Sequence, residues 1–445
     1  MPSQGTIGDR VRGLRLSRRM SQAQLAGPDL SDSYVSLIES GKRTPTPVVA
    51  RLLAERLGCT TEFLLHGIEP RQRIDTELGL RHAELELYHG DAAIAADRFG
   101  DIVKAAGEDN ALLAAHARLG RARALEAQGR IGRAVEAYER LRREAAAHPE
   151  RLADVPLTVA LCRCYQRAGD VMRARDLGTR ALDQVTQLSL FHGEVAVDLA
   201  AALADAEIGL PYVEQVLADA GVPVPADRTT EILSLWQASV SAAEGEDSAL
   251  AVQFADDALS AGRPARIAAQ MARIAMRWAE ISASRPGGDL GQVDELVSRA
   301  TQVFSVLPAE SVEHSRSLIA LARVQLRSGD TRRAEDLASK ALELLSDAPG
   351  TLAASAHLVL AEVGLARSDD SVKTNLERAG ALLSAAPAAG TVRDREIAGV
   401  WRELGDLWGK AGNREQQTGA YRRALEAVGV RSTVAGAVTS AVFAR

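Results

Sequence analysis

Over the first sixty-odd positions apolar residues recur three and four apart in short runs, each closed by a turn signal, which predicts five short helices. Ile7, Val11 and Leu14 set a first helix from about Ile7 to Arg19. Ser21 is a good N-cap and opens a second over Ser21 to Ala26. Gly27-Pro28-Asp29 stops it, because Pro28 cannot continue the hydrogen-bond ladder. Ser31 caps a third, Asp32 to Glu39, which ends at Ser40-Gly41. After a loop from Lys42 to Pro47, a fourth helix runs through Val48–Leu57, and Thr60 and Thr61 cap a fifth carrying Phe63, Leu64 and Leu65.

Past Gly67-Ile68-Glu69-Pro70 no strand-like alternation occurs. A glycine recurs instead between amphipathic helical stretches: Gly90, Gly129, Gly169, Gly209, Gly245, Gly288, Gly329 and Gly412. The gaps are 39, 40, 40, 36, 43 and 41, then 83, with Ser368-Asp369 in between. A fixed period of this size predicts an α-solenoid of stacked helix pairs. The expected fold is all-α: a small five-helix domain over residues 1–66 and a linker over 67–75. A solenoid of about nine helix pairs follows over 76–430, then a tail over 431–445. The tail's apolar stretch from Thr433 to Arg445 could cap the stack or stay loose.

Composition refines this picture. Aromatic residues make up only 4% of the chain, as suits alanine-rich helices in close contact. Three cysteines cannot build a disulfide framework, and no apolar leader or membrane-length apolar run appears, so a cytoplasmic protein without membrane attachment is expected. The net charge of −6 hides an asymmetry. Residues 1–66 hold nine Lys/Arg against six Asp/Glu, a +3 head on a −9 body. A small basic module on an acidic body reads as a nucleic-acid head with a separate partner surface.

The head resembles the Cro/Xre-type helix-turn-helix of phage repressors. Ser21-Gln22-Ala23-Gln24-Leu25-Ala26 matches that family's first motif helix, Ser31 to Ile38 its recognition helix, and Glu39-Ser40-Gly41-Lys42-Arg43 the turn after it. Cys59 to Leu65 matches the closing helix. The turn between the motif helices is one residue shorter than the family pattern, which puts the exact start of the recognition helix in doubt. The resemblance implies a buried Arg15–Glu39 ion pair and phosphate contacts from Gln22, Ser40, Lys42 and Arg43. It also implies a base-facing surface of Asp32, Ser33 and Ser36 or Leu37 on double-stranded DNA. Tyr34 would reach a thymine methyl or a phosphate. Asp32 has two readings: acceptor from a cytosine amino group, or support for the helix N-terminus.

The body resembles tetratricopeptide repeats, most closely in Trp401, Leu404, Gly405, Trp408 and Gly412. Arg123, Arg163 and Arg323 each stand six residues before a turn glycine, on helices expected to line the concave face. Gln166, Arg167, Trp236, Arg273, Arg277 and Arg327 are expected nearby. Such guanidinium groups suit a peptide carboxylate. The alternative is that they pair with Glu362, Asp406 and other acids of adjacent helices. The two parts together resemble the RRNPP group of bacterial peptide-pheromone receptors. That implies a cytoplasmic regulator whose solenoid dimerises, binds a signalling peptide or other small ligand, and controls binding to a palindromic operator. A repeat scaffold and a ligand-independent repressor remain as alternatives.

No chemistry-bearing motif competes. Cys162 and Cys164, two apart, point to different helix faces and lack a second pair for zinc. Ser40-Gly41-Lys42-Arg43-Thr44 lacks the upstream glycine and the strand of a phosphate loop. The eight histidines are scattered. No metal, no cofactor and no catalysis are expected.

Overall fold

Hydroxyl caps open the head's helices. The computed structural model describes residues 6–66, 70–106, 110–188, 191–284, 289–345, 350–385 and 392–428. In it α1 spans Ile7–Ser17, α2 Gln22–Ala26, α3 Asp32–Glu39, α4 Pro47–Arg56 and α5 Thr61–His66. Thr6, Ser21, Ser31 and Thr46 each accept from the backbone N–H three residues on, at 3.3, 3.1, 3.1 and 3.4 Å. That satisfies a donor the helix itself cannot. The apolar positions converge on one core of Val11, Leu25, Val35, Ile38, Leu53, Leu57 and Leu64, all fully buried. Gly8 lets α1 lie against α3, since a Cβ there would sit 2.3 Å from the Ile38 carbonyl oxygen.

The body continues as α6 (Pro70–His89), α7 (Ala92–Ala106), α8 (Ala111–Ala127), α9 (Ile131–Ala147), α10 (Asp154–Ala168) and α11 (Val171–Gln187). Then come α12 (Glu194–Ala206), α13 (Leu210–Ala220), α14 (Thr229–Glu244), α15 (Ser248–Ser284) and α16 (Leu290–Ser305). It closes with α17 (Ser311–Arg327), α18 (Thr331–Leu344), α19 (Gly350–Arg367), α20 (Ser371–Ala385), α21 (Val392–Lys410) and α22 (Arg414–Ala427). The protein is thus all-α, a five-helix head followed by a tetratricopeptide-like solenoid. No strand occurs among the described residues. Helix α6 starts at Pro70, so much of the expected linker 67–75 is helical, and Gly288 and the tail 431–445 lie outside the described residues.

Two residues are enough to reverse the chain because each does a different job. Gly129, Gly169, Gly329 and Gly412 take φ of 74, 82, 88 and 79°. The next residue donates back to the preceding helix: Arg130 to Leu125, Asp170 to Tyr165, Asp330 to Gln325 and Asn413 to Trp408, at 2.9–3.0 Å. That is the helix-ending glycine motif. The side chains of Asp170, Asp330 and Asn413 then accept from the N–H groups of Arg173, Arg333 and Gln416 and start the next helix. The recurrent Gly-Asp pair is therefore a stop joined to a start. At three turns another residue takes the left-handed position: Glu207, Glu246 and Ser368, with φ of 56, 63 and 56°. The turns expected at Gly209 and Gly245 are shifted accordingly.

The chain forms two compact units, Met1–Ala153 with Arg228–Gly262, and Asp154–Asp227 with Arg263–Arg445. In the second unit, neighbouring first helices touch as in tetratricopeptide stacks: α10 with α12, α17 with α19, and α19 with α21. The first unit holds a long-range contact. Leu78 and Leu85 of α6 share a core with Ile232 of α14 and with Ala251, Ala255, Ala258 and Ala261 of α15. Burying the two leucines favours this contact by about 1.5–3 kcal/mol each. Around it Arg81 Nε donates to Asp256 at 2.6 Å and Ser248 Oγ to Asp75 at 2.7 Å. His82 Nε2 lies 2.8 Å from Ser239 Oγ, which is fully buried and gives its own hydrogen to the Ala251 carbonyl at 2.7 Å. The imidazole must therefore be the donor.

Burial, with a smaller push from Arg98, holds His82 below its ordinary value, and burial does the same to His116 and His314. The folded protein prefers these rings neutral. The unfolded chain takes up protons first as pH falls below about 6.5, so stability is full above that pH and declines beneath it. The thermal midpoint should drop between pH 7.5 and pH 5.5, and His82→Gln, which keeps the N–H donor without titrating, should make the drop smaller. An equal drop in the variant, read by scanning calorimetry, would exclude His82 as a contributor.

Candidate nucleic-acid interface and ligand-facing helices

The recognition surface is rigid behind and polar in front. Val35 and Ile38 of α3 are fully buried, which turns Asp32, Ser33, Ser36 and Leu37 outward, all exposed. Arg15 fixes the end of α3 through two bonds to the Glu39 carboxylate, at 2.6 and 3.0 Å, and donates to the Met20 carbonyl at 2.8 Å. Burial would raise Glu39, but the bonds from Arg15 and Gln22 hold it below the usual carboxylate range.

Gln22 donates to Glu39 Oε2 at 2.8 Å, so part of its hydrogen-bonding capacity is spent inside the head. Ser40 Oγ donates to the Leu37 carbonyl at 3.1 Å. The Lys42 and Arg43 backbone N–H groups both bond that same carbonyl, which leaves their side chains projecting beyond the end of α3. The Arg43 guanidinium lies over the Tyr34 ring, 5.0 Å from its centroid, so Tyr34 holds a cation in place by its π face. Asp32 accepts from the Ser33 N–H at 3.0 Å and keeps its carboxylate exposed.

Much of the head's positive charge serves its own architecture. Arg10 donates to the Leu64 and Leu65 carbonyls, Arg18 to the Gly58 carbonyl, and Arg56 to Leu25, Ala26 and Asp29. These bonds hold carbonyls at or just past the C-terminal ends of α5, α4 and α2. With Arg15 that makes four of the head's nine cations. Lys42 and Arg43 stand outside this set, beside the recognition helix.

The groups expected on the solenoid's inner face are placed unequally. Trp236 packs against the apolar cluster of α14 and α15. Arg123 is exposed on α8. In the second unit Arg273 forks onto both oxygens of Glu310 at 2.7 Å. Arg277 reaches Glu207 and Glu280 at 2.9 Å, and Arg323 reaches both oxygens of Glu403 at 3.0 and 2.9 Å. Arg327 donates to the Ala283 carbonyl, and Gln166 to the Asp205 carbonyl. Arg163 lies close enough to Asp205 to act on its charge, and Arg167 is exposed on the same helix. Arg273, Arg277 and Arg323 thus pair with acids, as the alternative reading has it, but Glu362 and Asp406 are not among them: Glu362 pairs with Lys410, and Asp406 accepts from Tyr421.

Two carboxyls that the sequence pattern did not single out are raised above the ordinary carboxylate value there. Surrounding protein pushes Asp205 up, with Glu280 adding and Arg277 and Arg163 opposing. It pushes Glu403 up as well, against Arg323 and with Glu362 and Asp406. Asp205 is exposed and Glu403 part-exposed, so neither sits in a core. Gln166 Oε1 and Arg323 Nε are buried atoms without a hydrogen-bond partner among the described residues. Spacing could have flagged neither acid, because most of the charges around them come from helices far along the chain.

No group of His, Cys, Asp and Glu arranged to hold a metal occurs among the described residues, and no described helix is long and apolar enough to cross a membrane. No curated protein matches the chain. Among solved structures it is similar to the apo form of RapI, with 13% identity over 95% of this chain and 97% of that one and a TM-score of 0.46. It is also similar to Bacillus thuringiensis PlcR in complex with the peptide PapR7 and DNA, with 13% identity, 72% and 99% coverage and a TM-score of 0.34. The apo quorum sensor NprR from B. thuringiensis matches with 14% identity, 79% and 98% coverage and a TM-score of 0.36. In the head, residues 11–64 match the helix-turn-helix family model, and this N-terminal part of the chain is a helix-turn-helix domain of the Cro/Xre type.

Proposed function

We propose that the protein is a cytoplasmic transcriptional regulator that binds a palindromic DNA operator as a homodimer and whose solenoid takes a short signalling peptide. The observation that carries the DNA part is the exposed Asp32-Ser33-Ser36-Leu37 face on a helix locked from behind by Arg15 and Glu39. Entering the major groove by its N-terminal end, α3 would bring that face to base edges. Gln22, Ser40, Lys42 and Arg43 would contact phosphates, and Tyr34 would serve Arg43. One such head reads few bases, so useful specificity calls for two heads on a two-fold site.

The peptide part rests on the second unit's first helices. Gln166 Oε1 is a buried acceptor and Arg323 Nε a buried donor, each without a partner among the described residues. A peptide backbone offers the complementary N–H and C=O groups to such atoms. Arg163, Arg167, Arg273, Arg277 and Arg327 would surround it within the second unit; Arg123 and Trp236 are separate ligand candidates within the first. Binding would then shift the population of head arrangements. A ligand-independent repressor is the second reading, favoured by the ion pairs that already occupy Arg273, Arg277 and Arg323.

One experiment separates these readings. Binding of the full chain to its own upstream region is measured by gel shift, with and without a low-mass filtrate of producer culture, before and after protease treatment. A shift altered only by the untreated filtrate supports the peptide reading, and an unaltered shift supports the ligand-independent repressor. Absence of any shift on the upstream region or on genomic fragments removes the DNA reading.

A further inference from the structure

We propose that the contact between α6 and the α14–α15 pair is a register lock that sets how far apart two DNA-binding heads are held. This rests on the reading of the protein as a paired DNA binder.

Only three residues separate His66 at the end of α5 from Pro70 at the start of α6. Four peptide links span at most roughly 14 Å, so wherever α6 goes the head must follow. Helix α6 is therefore the mount of the head, and its own position is decided by residues far along the chain. Asp75 bonds Ser248, His82 bonds Ser239 and Arg81 bonds Asp256, at sequence separations of 173, 157 and 175.

The near-equal separations of the first and last of these bonds mean that α6 and α15 advance in the same direction along their contact. Asp75, Leu78, His82 and Leu85 stand at relative positions 0, 3, 7 and 10 on α6, and Ser248, Ala251, Ala255 and Ala258 stand at the same relative positions on α15. Both helices thus present a matching one-face stripe. The α15 side is almost entirely alanine, a shallow surface that two leucines can cross without having to withdraw from deep holes. The polar rim gives this smooth surface its register. A slide by one turn separates Asp75 from Ser248 and Arg81 from Asp256 together and takes His82 away from the buried Ser239 hydroxyl. Positions on either side satisfy none of the three, so the rim bonds select the observed register from an apolar surface that would otherwise allow sliding.

The test uses the full chain and two variants. Asp256→Arg places a second cation against Arg81, and Arg81→Asp/Asp256→Arg restores the pair with its signs exchanged. Each protein is offered a pool of random-sequence duplexes, and the spacing between enriched half-sites is read by sequencing. Hydrogen exchange of the α6 amides is followed in parallel. The wild type and the exchanged pair should enrich one spacing. Asp256→Arg should exchange its α6 amides at least tenfold faster and should enrich two or more spacings or a displaced one. The proposal is overturned if Asp256→Arg opens α6 while keeping the wild-type spacing, or if its α6 amides stay as protected as before. A wild type that enriches only single half-sites overturns the proposal together with the paired-head reading. A wild type that enriches no duplex at all removes the DNA reading itself, while the exchange data still decide whether the rim bonds hold α6.

Discussion

Arg15→Met should unfold the helix-turn-helix head while leaving the solenoid helices intact. The substitution fills a similar volume but removes both bonds to Glu39 and the one to the Met20 carbonyl. It strands a carboxylate whose side chain is only 5% exposed. Breaking a buried pair from one side costs about 3–5 kcal/mol, because the remaining charge has no water and no counter-ion. A domain of some sixty residues has about 3–9 kcal/mol of stability in all. The loss therefore takes most or all of it. Specific DNA binding should fall at least a hundredfold at 37 °C, and the head amide resonances should collapse toward random-coil positions. Replacing both partners, Arg15→Met with Glu39→Leu, leaves no orphaned charge and should recover much of the fold. A single variant that keeps its DNA affinity would show that the pair is dispensable. The same pair sets an acid limit. The folded Glu39 carboxyl lies below its ordinary value, so its contribution is complete above about pH 4.5 and disappears as pH falls through the lower folded value.

What could be read in the sequence was what local chemistry decides. Ser21, Ser31 and Thr46 are helix starts because their hydroxyls reach the N–H three residues on, and that needs no tertiary information. Gly-Asp turns are legible for the same reason. Where the left-handed residue is Glu207 or Glu246 the glycine signal misplaces the turn, whereas Ser368-Asp369 stands where the period put it although Ser368 bears a conformation that costs a non-glycine residue. For the arginines, sequence spacing names a class of partner but not the individual acids. The alternative reading names acids of adjacent helices as partners, and Arg323 pairs with one that the spacing does not single out, Glu403, 80 residues away. The α6 contact with α14 and α15 left no trace in the periodicity, because Leu78 and Leu85 look like ordinary core positions of a first repeat.

The largest functional effect is expected from Lys42→Ala with Arg43→Ala, and its form can distinguish one engaged head from two. Neither ammonium nor guanidinium has an ion-pair partner among the described residues, and Arg43 is held over Tyr34 beyond the end of the recognition helix. Their removal should cost the fold little. Each cation that neutralises a phosphate contributes roughly 0.9 to the slope of log affinity against log salt. Taking two such cations from a single engaged head lowers that slope by about 1.8, and taking four from a pair of heads lowers it by about 3.6. In the paired case affinity should fall roughly a hundredfold or more near 50 mM salt, and the gap to wild type should narrow as salt rises. The fall should be nearly equal on every duplex, since phosphates carry no sequence. Asp32→Asn is the contrasting substitution. If the carboxylate accepts from a cytosine amino group, the variant loses discrimination at one base step. If it only supports the start of α3, every duplex binds a few-fold more tightly, because a charge repelled by phosphates has gone. Fluorescence anisotropy on a mixed-sequence duplex over a salt series gives the slopes directly. An unchanged slope in Lys42→Ala with Arg43→Ala would take both cations off the phosphates, and the DNA-facing surface would then have to lie elsewhere on the head.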